Sequence, residues 1–313
     1  MRTRRFLPLA FLVPAGAGAV LAVACTVDVD KYKMQDPPLA ADASVDFADL
    51  RFEAIAQLPH ANEFFELRLI DGQAHVTAKA VFNKVLPTNL TFSLFMKGFI
   101  PKANPPYRLD FWYDHDQLKD GGHDGIYDSP PSKTGDHSWR RVLTDPLPTG
   151  MTYHVPAYTV YFPHDQNWVD LQKDPVTNAQ VVPDFNATTL GSFNLKVTGG
   201  TQYIGKMFEL RVSRPDTGQL IGLYRKGALE DAQTMTITDI LDESTGYQIT
   251  AFVDVNNDQI YEAGEPSYKI DFTSPAADDY QGTLDLAGNA QVAIDNGNGA
   301  LSPLDDAGVP ITP

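Results

Sequence analysis

Phe65-Glu-Leu-Arg-Leu69 recurs as Phe208-Glu-Leu-Arg-Val212, 143 residues further along a chain of 313. In both copies apolar and polar side chains alternate, which is the period of a strand that buries one face. The repeat extends outward. Leu50 and Phe52 fall on Phe193 and Leu195 at the same spacing, and Tyr107, followed six residues later by Tyr113-Asp114, falls on Tyr247 followed by Val253-Asp254, now 140 residues apart. Repetition at this length denotes two duplicated domains, since solenoid units have shorter periods.

Short alternating segments surround this anchor in the first copy, at 49–55, 63–70, 75–82, 89–96 and 107–113, each bounded by Gly, Pro, Asn or Asp. No stretch of comparable length keeps a helical period. Around seven short strands in roughly 100 residues predict an immunoglobulin-like or transthyretin-like β-sandwich, and each copy is long enough to bury its own core. The expected architecture is all-β: tandem sandwiches over 46–170 and 189–287, a linker at 171–188, and a loose Gly-, Asn-, Asp- and Pro-rich tail at 288–313.

In the second copy, alternating segments at 247–253 and 267–273 enclose Asp254-Val-Asn256-Asn-Asp258-Gln-Ile260-Tyr-Glu262-Ala-Gly-Glu265. Oxygen donors stand at positions 1, 3, 5, 9 and 12, with a backbone carbonyl at 7, which is calcium-loop spacing. The expected ligands are Asp254, Asn256, Asp258, the Ile260 carbonyl, Glu262 and Glu265. Gln259 occupies the turn position that normally takes glycine; a left-handed non-glycine residue costs roughly 1–2 kcal/mol, so the site should be weakened. A strand–loop–strand site pins a turn. The competing reading is a solvated acidic turn holding no ion.

Alignment carries the same design into the first copy. Asp124-Gly-Ile-Tyr-Asp128 falls on Asp258-Gln-Ile-Tyr-Glu262, and Asp136-His-Ser-Trp139 falls on Glu265-Pro-Ser-Tyr268. The corresponding ligands are Asp114, Asp116, Asp124, the Ile126 carbonyl, Asp128 and Asp136, with Asp120 as a substitute for Asp116. Two insertions, 117–123 and 129–135, stretch this loop at modest entropic cost.

At the second copy's loop the sequence resembles bacterial surface proteins built from tandem sandwich repeats, including collagen-adhesin B-type and carboxypeptidase-regulatory-like domains. The resemblance rests on the acidic loop ending Gly264-Glu265-Pro266 and on one flanking strand. It implies adhesion, scaffolding or carbohydrate contact more than catalysis.

Arg2, Arg4 and Arg5, an apolar run from Phe6 to Ala24 and the only cysteine, at Leu21-Ala-Val-Ala24-Cys25, resemble a bacterial lipoprotein signal peptide. The resemblance implies cleavage after residue 24, lipidation of Cys25 and a tether over 25–45 at the cell envelope, the outer membrane being the expected site. The alternative is an ordinary secretory peptide that leaves a free thiol. With no second cysteine, stability must come from packing and ions. Losing the three leader arginines takes the net charge from −16 to −19, a surface that repels phosphate backbones. Nucleic acid is excluded as a partner; an envelope polysaccharide or protein is the expected ligand.

All seven histidines (His60, His75, His115, His123, His137, His154, His164) and all three tryptophans (Trp112, Trp139, Trp168) fall in the first copy or its C-terminal extension. Duplicated domains keep the scaffold and diverge at sites, so any specialised activity belongs there. His115, His123 and His137 among aspartates form a second class of reading, a transition-metal-handling or redox accessory protein. Trp168, His164, Asn167 and His137 are the candidate ligand-contact residues, because tryptophan beside polar side chains suits sugar stacking or interface anchoring. Trp139, aligned with Tyr268, and Trp112, in an alternating strand, read as core. No nucleophile elbow or phosphate-cradling motif is present, so the chain reads as a non-enzyme.

Overall fold

The computed structural model describes residues 47–83, 91–101, 106–115, 125–128, 136–143, 158–164, 168–173, 177–179, 190–259, 261, 265–273, 279–287, 292–293 and 300–303. The leader and tether with Cys25, and Asp116, Asp124, Asn167, Ile260, Glu262 and His123, lie outside these residues.

The described residues form strands and no α-helix. The first module contains β1 (Phe47–Ile55), β2 (Phe65–Ile70), β3 (Val76–Asn83), β4 (Phe92–Pro101), β5 (Tyr107–Tyr113), β6 (His137–Leu143) and β7 (Tyr158–Pro163). The second repeats this with β8 (Gly191–Thr198), β9 (Met207–Ser213), β10 (Leu220–Lys226), β11 (Gln233–Leu241), β12 (Gly246–Asp254), β13 (Ser267–Thr273) and β14 (Tyr280–Asp285). A three-stranded sheet β4-β1-β7 covers the strands β3-β2-β5-β6, and β11-β8-β14 covers β10-β9-β12-β13. Every strand of one module has its counterpart in the other, so the duplication read from Phe65 and Phe208 is a duplication of topology. The immunoglobulin-like all-β sandwich is the observed class.

Alternation explains the layers. Along β1 every second residue is buried, and Leu50, Phe52 and Ala54 meet Phe65, Leu67, Phe111 and Phe162 in the first core. Phe52 lies 5.0 Å from Phe111, ring centroid to centroid, in an edge-on contact. In the second module Phe193, Leu195, Val197, Phe208, Leu210, Ala251 and Leu284 fill the equivalent positions.

Two features depart from separate sandwiches on a string. First, β3 and β10 pair in parallel, from Gly222 opposite Lys79 to Lys226 opposite Asn83, which joins the large sheets into one of ten strands. Second, the modules exchange core residues. Leu220 and Leu223 of β10 belong to the first core, and Val81 of β3 belongs to the second. Neighbouring strand residues point to opposite faces, so the two three-stranded sheets cover opposite faces of the shared sheet. That is why β10 is buried at all seven positions. Polar groups cross the seam too: Lys79 Nζ donates to Thr238 Oγ1 at 3.1 Å and Arg225 to the Ser93 carbonyl at 3.0 Å.

The expected linker and tail differ in detail. Leu171 is buried against the first module, its carbonyl accepting from Arg140 at 2.9 Å, so residues 171–173 belong to that module. In the expected loose tail, β15 (Val292–Ala293) pairs with β16 (Ala300–Pro303), and β16 extends the large sheet beyond β13.

Candidate functional site

The β1–β2 connection, the β5–β6 connection and the exit of β7 all lie at one end of the first module, because Phe65 and His137 both pair with Tyr113 while Ile55 pairs with Pro163. Both acidic loops occupy this end of their modules, and they are built alike. Asp114 Oδ2 accepts from the Gly125 amide at 2.9 Å, and Asp254 Oδ2 from the Gln259 amide at 2.6 Å. Gly125 and Gln259 are both left-handed, with φ of +73° and +68°. The Tyr127 hydroxyl meets Ser138 Oγ at 2.9 Å, and that of Tyr261 meets Ser267 Oγ at 3.2 Å. Each tyrosine also stands edge-on to an aromatic, Trp112 or Phe252.

Most described carboxylates of the loops face backbone amides. Asp136 accepts from the amides of His115 and Asp128 at 3.0 and 2.7 Å. Burial drives its carboxyl up to about 7, the nearby charges of Asp114 and Asp128 adding to what the two amide bonds offset. Asp254 also accepts from the Asp258 amide at 3.2 Å, Asn256 Oδ1 accepts from the same amide at 2.9 Å, and Glu265 accepts from the Val255 amide at 2.7 Å. Ile126 and Asp128 are exposed. Among the described residues, Asp254, Asp258 and Glu265 do not form a set whose ligand atoms all lie within 4.8 Å of one another.

Two sets of side chains do reach that distance, and both are in the first module: His60 with His137 and His164, and His60 with Glu63 and His115. A 3-10 turn at Leu58–His60 carries His60 into the interior, where it is 0% exposed and stacked on Tyr113 at 3.9 Å. His115 follows β5, His137 opens β6 and His164 follows β7. The rings of His137 and His164 lie 4.9 and 5.1 Å from that of His60, and His115 lies 4.0 Å from His137.

Glu63 organises this group. One of its oxygens faces His60 Nδ1 and the other His115 Nδ1, each at 2.6 Å. A carboxylate only accepts, so both Nδ1 atoms carry hydrogen, and in the neutral His60 ring Nε2 presents a lone pair. Among the described residues, the buried His60 Nε2 and His137 Nδ1 have no hydrogen-bond partner. Burial pushes His60 below the usual histidine range despite its Glu63 bond, and takes His137 down to about 3, with repulsion from His115 and His60 adding to it. Burial alone would raise Glu63, but the bonds from His115 and His60 outweigh it and hold the carboxyl low. The result is an ionised glutamate beside neutral His60 and His137 rings, whereas the bond to Glu63, with the charges of Glu63, Asp136 and Asp114, lifts His115 above the usual histidine range despite its partial burial.

The second module builds the same end without these groups. Its 3-10 turn ends at Tyr203, where the first module has His60, and the Lys206 amide donates to the Tyr203 carbonyl as that of Glu63 does to His60. Val255 follows Asp254 as His115 follows Asp114. Pro266 lies opposite Val253 as His137 lies opposite Tyr113, and the Leu286 amide reaches Thr198 as that of His164 reaches Ile55. The fold therefore closes this end without histidine.

Of the ligand-contact candidates, His137 and His164 lie within the cluster, and Trp168, 38% exposed, stacks on His137 at 3.9 Å. Trp139 is buried beside the cluster, and Trp112 packs with Tyr127 and Leu171. His60 and Glu63 were missed as site residues. Their signal was available in His60-Ala-Asn-Glu63 facing Tyr203 and Lys206 across the duplication.

No protein-family model matches this chain and no curated protein matches it. Among solved structures, the shaft pilin SpaA from Lactobacillus rhamnosus GG is similar at 11% identity and a TM-score of 0.19, covering 74% of this chain and 96% of its own. The fimbrial anchor protein Mfa2 from Porphyromonas gingivalis is similar at 11% identity and a TM-score of 0.19, covering 80% and 98%. Overlap at this level carries no inference about what this chain does.

Proposed function

We propose that this chain is an envelope-anchored, non-catalytic scaffolding protein that holds its first module's loop-bearing end away from the membrane to meet an envelope protein or polysaccharide. The single observation that carries the reading is the ten-stranded sheet with cores exchanged across β3 and β10. Modules that share a ladder and each other's apolar side chains move as one body, which suits bearing load or presenting a surface at fixed geometry. On this reading residues 1–24 are a lipoprotein leader and 25–45 a tether, which would put that body on a lipid anchor at Cys25. Calcium, the ion that the ligand spacing of the second loop calls for, enters as a stiffener of one turn.

Scanning calorimetry of the mature protein tests the mechanical part. One cooperative transition is expected, and two transitions separated by several degrees would refute it. Replacing Cys25 with Ser should move the protein from the membrane pellet to the soluble envelope fraction, and retention in the pellet would remove the anchor. A thermal shift in calcium chloride that persists undiminished in Glu265→Gln would remove calcium from the second loop.

A further inference from the structure

We infer that the end of the first module is a binding site for a late first-row transition-metal ion of the zinc and copper class, held by His60, His137 and His164, with Glu63 and His115 as the flanking pair that orients it. The inference is independent of where the protein is anchored and of whether calcium occupies either acidic loop.

The donor set selects the ion. Imidazole nitrogens favour zinc, copper and nickel, whereas calcium takes six to eight oxygens. Zinc–imidazole bonds of about 2.1 Å put tetrahedral ligands roughly 3.4 Å apart. The three ligand atoms lie within 4.8 Å of one another, so side-chain adjustments of about an ångström close them on one ion. The remaining coordination position would face solvent past His164 and His115, neither of which is fully buried.

Two observations point to an ion rather than to core packing. Buried nitrogens of His60 and His137 have no hydrogen-bond partner among the described residues, and such atoms cost free energy unless something satisfies them. The second module closes the same end with Tyr203, Lys206, Val255, Pro266 and Leu286, so the backbone does not demand histidine there. Glu63 supplies the outer contact common to metal-bound histidines: it accepts from His60 Nδ1 and leaves Nε2 to bind.

The test is calorimetric titration of the metal-stripped mature chain with zinc sulfate and with copper(II) sulfate, using Trp168 fluorescence as a second readout. One ion per chain is expected, with copper quenching Trp168 through the stacked His137. His137→Phe and His164→Gln should each weaken binding about 100-fold or more. Glu63→Gln, which keeps all three ligands, should weaken it about 10–100-fold. His60 is packed in the interior, so the two more peripheral histidines carry the test, with far-UV circular dichroism showing that the variants fold. Trp168→Phe should bind normally and lose only the share of the quench that Trp168 contributes, leaving that of Trp139 beside the cluster. Absence of a saturable one-to-one site for either ion overturns the inference, as does affinity in folded His137→Phe and His164→Gln within threefold of the parent.

Discussion

Lys79 sits on β3 at the seam, 1% exposed, with its ammonium 3.1 Å from Thr238 Oγ1 and 3.9 Å from the Asp239 carboxylate of the other module. Burial, joined by repulsion from Arg68, lowers it from 10.5 to about 8, although Glu66 and Asp239 pull the other way. Between those two values the unfolded chain holds a proton that the folded protein has released, so stability rises with pH across this window. Below pH 8 the whole cost of the buried charge is present, and above 10.5 it is gone. The drop from 10.5 to about 8 corresponds to roughly 3 kcal/mol. Lys79→Met keeps the length of the stem without the charge, so its stability relative to the parent should fall by roughly 3 kcal/mol between pH 7 and pH 10.5. Urea unfolding of both proteins at several pH values reads this directly, because other titrating groups cancel in the difference. A parent–variant difference that stays constant with pH would show that Lys79 pays no such penalty at the seam.

Leu223→Ala, which empties a position of β10 that fills the first module's core, should cost about 2–5 kcal/mol; loss confined to the second module's unfolding would contradict the exchanged cores. Gly125→Ala should destabilise by about 1 kcal/mol and Gln259→Gly should stabilise by a similar amount, since both positions are left-handed and nothing lies within 4 Å of a Cβ at Gly125. Thermal melts showing the opposite signs would overturn the equivalence of the two turns. Arg140 holds the buried Asp110 through two bonds of 2.7 and 2.8 Å and also the Leu171 carbonyl. Arg140→Ala should cost about 3 kcal/mol and release the segment bearing Trp168, seen as a red shift in its emission; an unchanged spectrum would show that the segment is held by other means.

Much of the fold was legible because strand alternation is local. The segments at 107–113 and 267–273 match β5 and β13 end to end, and Phe65 and Phe208 locate corresponding strands in the two cores. The acidic loops were legible as a pair for the same reason: Asp114 and Asp254 cap equivalent left-handed turns that Gly125 and Gln259 mark in the chain. The seam was not legible. Strands β3 and β10 pair across some 140 residues, and edge pairing depends on backbone groups that every residue shares, so no side-chain pattern announces it. The candidate metal centre was half legible. His115 and His137 stood out beside aspartates, whereas His60 and Glu63 precede β2 with no metal-ligand spacing to the others.

From the sequence alone come the duplication, the alternating strands, the crowding of histidine into one copy and the arginine-led apolar run before Cys25, all of which depend on residue type and near-neighbour spacing. Tertiary structure decided that the two sandwiches share one sheet and lend each other core residues. It also decided that the histidines following β5 and β7, the one opening β6 and the one between β1 and β2 meet at a single glutamate. Convergence of this kind is set by the order of strands within a sheet, which brings loop ends together at distances the linear chain does not encode.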